Sequence, residues 1–167
     1  TQSVTSNVIT ALTWDTETYD TDAYHDGVSN TDRITVPVGF TGYLAVHACV
    51  QITANTANTW FLTIIRHYNS SDVLQRSWSA EQEINSTTVS NIVTTGPVEA
   101  AAGDYFVVFN QVESDTSIDV GTSSFFSAYQ IPAAGFSGVF ATTSGLAAQN
   151  FTTSASLPWD TDVFDTD

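Results

Sequence analysis

A chain of 167 residues can hold one good hydrophobic core but not two domains of that size, and ten Phe, six Tyr and four Trp supply the material for it. Eighteen Asp and Glu against three Arg and no Lys give a formal net charge of −15; such a surface repels phosphate backbones and anionic headgroups, which argues against nucleic acid and membrane surfaces as partners. A lone Cys49 excludes an internal disulfide, and no apolar run approaches the roughly 20 residues that a bilayer-spanning helix needs.

A divalent cation, or a basic patch on a partner, suits this charge better. The composition, free of Lys and rich in Asp and Thr, also resembles that of proteins working in concentrated salt, and it predicts stability that rises as ionic strength screens self-repulsion.

In chain order, a weak strand candidate at 7–14 leads into WDTETYDTD, Trp14 to Asp22. Asp15, Glu17, Asp20, Asp22 and Asp26 make this the densest run of carboxylates, and oxygen-rich loops of this kind suit calcium. The spacing is not that of an EF-hand loop, since no Gly holds the turn position and no Glu closes it. The alternative is a solvated acidic face in which Trp14 and Tyr19 are buried and the acids point to water.

Runs rich in Val, Ile, Thr and aromatics follow at 34–38, 42–53, 59–69, 73–80, 87–100, 104–112 and 123–131, with a weaker one at 115–120. Polar clusters such as NSSD at 69–72 and AAAGD at 100–104 separate them as turns. No segment sustains a helical period, so the chain is read as all-β, an antiparallel two-sheet sandwich or jelly roll. Alternation puts Leu44, Val46, Ala48, Val50 and Ile52 on one core face. In 59–69 and 104–112 both faces are apolar: Trp60, Leu62 and Ile64 alternate with Phe61, Thr63 and Ile65, and Tyr105, Val107 and Phe109 with Phe106 and Val108. Burial on both sides of these strands predicts a subunit interface.

Residues 132–149 are rich in Ala, Gly, Ser and Thr, free of charge, and read as a linker or extended arm. At 150–167 the acidic nine-mer returns as WDTDVFDTD, Trp159 to Asp167, with six of nine positions identical to the first. An offset of that length is the size of a domain rather than of a solenoid repeat. The repeat predicts either the start of a second copy of the domain or a tail that docks on a neighbouring subunit.

The order of four fragments, WDTETYDTDAYHD, NTDRITVPVGFTGYLAV, VEAAAGDYFVVF and SSFFSAYQI, resembles that of the complement C-one-q globular head and its tumour necrosis factor-like relatives, among them many structural proteins of phages and viruses. Gly42, Tyr43 and Val46 depart from the family's G-x-Y-x-F step, because Tyr directly follows Gly, and this favours the viral variants. The resemblance covers about residues 7–131 and implies that 1–131 form a jelly-roll domain of about ten strands that assembles as a homotrimer. It further implies a non-enzymatic, extracellular virion component (fibre, turret or capsid decoration) that contacts other virion proteins and a host surface glycan or receptor. The competing class is a cellular surface or secreted adhesin module that binds carbohydrate.

Other candidate sites carry less. His25, His47 and His67 lack H-x-H or H-E-x-x-H spacing, which favours core or interface histidines over zinc ligands. Glu81, Glu83 and Asp104 are available as an acid pair, but in so acidic a chain such pairs say nothing about separation. There is no G-x-S-x-G elbow and no phosphate-binding Gly loop, and no cofactor other than calcium is implied. Trp78, between polar residues in QRSWSAEQ, is the candidate for stacking on a sugar ring; its other reading is a partly buried edge residue.

Overall fold

Val, Ile and aromatic residues alternating with polar ones fold as antiparallel strands, and no helix occurs among the described residues. The structure, a computed structural model, describes residues 2–53, 59–84, 87–113, 118–131, 141–142 and 161–162. The chain divides into two units, Thr1–Ala133 and Ala134–Asp167.

The first unit contains β1 (Gln2–Val4), β2 (Thr10–Ala11), β3 (His25–Asp26), β4 (Asn30–Thr35), β5 (Tyr43–Thr53), β6 (Thr59–Tyr68), β7 (Leu74–Ile84), β8 (Thr88–Glu99), β9 (Tyr105–Glu113), β10 (Ile118–Val120) and β11 (Phe125–Ile131). They form two antiparallel sheets. In the first, β5 is central, with β8 along one side and β11 and β10 sharing the other; β1 extends β10. The second runs β3-β4-β9-β6-β7, and β2 adds to β9 beside β4. In the second unit β12 (Ala141–Thr142) pairs with β13 (Thr161–Asp162). The remaining residues of the expected linker and of the second nine-mer lie outside the described residues.

The inner faces of the two sheets meet in one core. Leu44, Val46, Ala48, Val50 and Ile52 of β5 are each 0% exposed, as the alternation predicts. Opposite them stand Phe61 and Ile65 of β6 and Phe106, Val108 and Val112 of β9. Each of the Val, Leu, Ile and Phe side chains, fully buried, contributes about 1.5–3 kcal/mol. Two polar side chains of β8 that enter the core are paired: Asn91 donates to the Phe61 carbonyl at 2.8 Å, and the Thr95 hydroxyl accepts from the Val46 amide at 3.1 Å where the β5–β8 register shifts.

The strand expected at 34–38 ends earlier, at Thr35. Pro37 opens a turn in which the Phe40 amide donates to its carbonyl, and Gly39, at φ +88°, takes the left-handed position. Val38 is thereby turned out to 96% exposure. A second such turn, Ala101 to Asp104, is closed by Gly103 at φ +86°, where a Cβ would sit 3.1 Å from that of Ser70.

Candidate functional site

The acidic loop between β2 and β4 is fastened by its first residue. Trp14 packs against the core and tilts onto Phe126 at 5.5 Å, while its amide donates to the Thr31 carbonyl at 2.7 Å. Tyr19, expected to be buried alongside it, is 82% exposed: the carboxylates on either side keep this part of the loop in water.

Most of the loop's carboxylates have local partners. Asp20 accepts from the amides of Asp22 and His25, at 3.3 and 2.8 Å. Partial burial pushes the Asp20 carboxyl up, but the amides of His25, Tyr24, Asp22 and Ala23 outweigh it and hold it below the usual aspartate range. Asp26 is lowered in the same way by the amides of Val28 and Ser29. Glu17 faces His25 at 3.5 Å, and Asp15 and Asp22 accept from Thr16 and Thr21. Among the described residues no three His, Cys, Asp or Glu side chains are placed to hold one metal ion. Asp20 and Asp26, each accepting two backbone amides, fix the chain path through this loop.

The three histidines stand apart. His25 is in the acidic loop, His47 lies on the outer face of β5, and His67 is inside, 4% exposed. Its Nε2 meets Asp104 Oδ2 at 3.0 Å, and the same oxygen accepts from the Ala101 amide. The ring lies flat on Phe106, with centroids 4.6 Å apart. Trp78 points inward from β7, opposite Ile65, and is half-buried against the core; Glu81 and Glu83 flank the outer face opposite Leu62 and Trp60.

The two outer faces differ in kind. On the second sheet the Arg33 guanidinium caps the Tyr105 ring at 4.2 Å and that of Arg66 caps Phe109 at 4.6 Å. Tyr68 stacks on Tyr105, whose hydroxyl donates to Asp72 at 2.8 Å; burial and that carboxylate push the phenol up to about 12. Under these side chains Val107 and Ile64 are only 3% and 6% exposed. Ile64 and Val107, two of the apolar outer residues of β6 and β9, are therefore covered within the chain, whereas Trp60 near the start of β6 stays 46% exposed.

On the first sheet the outer face is open. Its rows are Phe125–Cys49–Ile92, Ser127–His47–Thr94, Tyr129–Ala45–Pro97 and Ile131–Tyr43–Glu99. Phe125, Tyr129 and Ile92 are 52%, 54% and 68% exposed, and His47 stacks on Tyr129 at 5.3 Å. Partial burial pushes the Cys49 thiol up, which keeps it an unreactive thiol on this face. Between Glu99 at one end and Asp119 at the other, the paired positions of β5, β8 and β11 carry no Asp, Glu or Arg. The signal was present in the sequence as alternate positions of three strands that lack charge, but only the register shows that they share one face.

A cleft of about 350 Å³ opens where β1, the start of the acidic loop and the β10–β11 turn converge, lined by Gln2, Thr13, Trp14, Asp15, Thr122 and Ser124 among others. Hydroxyl, amide and carboxylate groups around one indole are the chemistry that receives a small polyol. No family model and no curated protein sequence matches this chain.

Proposed function

We propose that this chain is a non-enzymatic structural protein of a virus particle, a fibre, turret or decoration subunit, that assembles with its own copies through the outer face of the first sheet. The observation that carries self-assembly is the neutral face: a chain of net charge −15 leaves one open sheet face without charge between its ends. Copies of so acidic a chain repel each other on approach, and on the neutral face a second copy can close without opposing carboxylates. Cyclic closure into a trimer follows from the resemblance to C-one-q and tumour necrosis factor-like domains.

The jelly-roll reading is supported by four nested antiparallel pairs, β1 with β10, β4 with β9, β5 with β8 and β6 with β7. Such nesting is what results when one long hairpin is wrapped into two sheets. The place on a virion rests on the order of the sequence fragments. Adhesion is favoured by the Trp14 cleft, whose lining suits a neutral sugar, and this serves the alternative of a cellular carbohydrate-binding adhesin equally well.

Two measurements test the proposal. Light scattering at micromolar concentration is expected to give three chains, and single chains at every concentration overturn it. Antibody labelling of intact particles is expected to mark their outer surface; label confined to the envelope of cells points to the adhesin.

A further inference from the structure

His47 stands in the middle of the neutral face, and among the described residues of its own and the neighbouring rows there is no carboxylate to balance a charge. Cross-strand it lies between Ser127 of β11 and Thr94 of β8, with Ala45 and Cys49 beside it on β5. Phe125, Tyr129 and Ile92 complete its surroundings, so among the described residues of these rows Cys49 and Tyr129 are the other titratable groups. Both are neutral in acid. The nearest carboxylates of the face are Glu99, two rows away, and Asp119, three rows away in the other direction. At the strand rise these rows are about 13 Å and about 20 Å off, beyond a Debye length at ordinary salt.

We propose that His47 makes assembly through this face reversible by acid, a property that rests on the reading of the face as the contact between copies. A neutral imidazole, flat on Tyr129, enters such an interface as a ring among rings. An imidazolium enters it as an unpaired cation stripped of water, and symmetric copies bring further His47 imidazoliums to the same contact. The Tyr129 ring offers an attraction of its own to the cation, which is weaker than the hydration lost. The assembled state therefore binds fewer protons than separated chains. Linkage then fixes the sign: assembly is favoured where the imidazole is neutral and weakened where it is protonated.

The other two histidines lie away from this face and have carboxylate partners, Glu17 for His25 and Asp104 for His67. Sedimentation of the full chain at constant salt, with far-ultraviolet circular dichroism on the same samples, separates the cases. Between about pH 8 and about pH 5.5, the apparent association constant of the native chain is expected to drop about tenfold or more for each interfacial imidazole, with an unchanged β spectrum. His47→Gln and His47→Phe, the second of which keeps a ring on Tyr129, are expected to stay assembled at both values. Equal assembly of the native chain at both values overturns the proposal, as does acid dissociation of both variants. Single chains already at the higher pH overturn the reading of the face itself, and so both proposals together.

Discussion

His67 and Asp104, 37 residues apart, meet inside the first unit with Nε2 and Oδ2 3.0 Å apart. The carboxylate also receives the Ala101 amide, so it ties the inner face of β6 to the turn that opens β9. Removing it leaves an imidazole and an amide without this acceptor in a largely buried region. Asp104→Ala is expected to cost about 1–3 kcal/mol for each group left without its partner. Asp104→Asn keeps an acceptor for Ala101 and is expected to cost less than half as much. Urea unfolding followed by tryptophan fluorescence reads both.

Arg66 covers Phe109 and, with Arg33, shields Val107 between them in register. Arg66→Ala is expected to lose about 1–2 kcal/mol through ring contact and stem packing. Arg66→Lys recovers only part, because a compact ammonium does not lie flat on a ring. Aggregation on heating should rise in the alanine variant, since Ile64 and Val107 become open to water. A variant as stable and as disperse as the native chain would show that the ring contact contributes nothing.

Faces were legible in the sequence and registers were not. The period-two alternation of 42–53 is a local property, and it placed Leu44, Val46, Ala48, Val50 and Ile52 inside. The existence and kind of the long strands were read in the same way. Strands β1 and β3, of three and two residues, carry no local pattern and exist because β10 and β4 offer them partners. The arginine caps and the His67–Asp104 pair depend on which residue of β6 lies beside which of β9, a choice made by turns and bulges far from either. Tyr19 was misplaced for a related reason: aromatic content suggested burial, and the path of a loop fixed by Asp20 and Asp26 decided otherwise.

Acid and alkaline limits follow from the named carboxylates and from one phenol. Asp20 and Asp26 are held below the ordinary aspartate range, so their contribution is present above the unfolded value, about 3.9, and is lost as pH falls through the lower folded values. Asp20→Asn and Asp26→Asn should flatten the acid limb of a thermal-stability profile. Tyr105 is raised to about 12 from 10.0, so its contribution is complete below the unfolded value and disappears as pH rises through the folded one. Ultraviolet titration of native and Tyr105→Phe proteins should show one tyrosine fewer ionising at the alkaline end. Loss of an ordinary, early-titrating tyrosine instead would contradict the Asp72 contact.

Phe125, Ile92 and Tyr129 lie on one open face, and a charge placed among them separates assembly from folding. Tyr129 is 54% exposed in the single chain, so Tyr129→Asp leaves the core untouched and adds a carboxylate where copies are proposed to meet. In a chain already at −15, each copy then carries its new charge into an apolar contact without a partner. The expected loss is about 2 kcal/mol or more of association, roughly thirtyfold in affinity, with a melting temperature for the separated chain close to native. Ser79→Asp, on the outer face of the second sheet opposite Ile64, is the control and should leave assembly unchanged. If Ser79→Asp dissociates the copies and Tyr129→Asp does not, the contact lies on the second sheet, and the covering of Val107 and Ile64 by Arg33 and Arg66 would then be the state of a chain waiting for its partner.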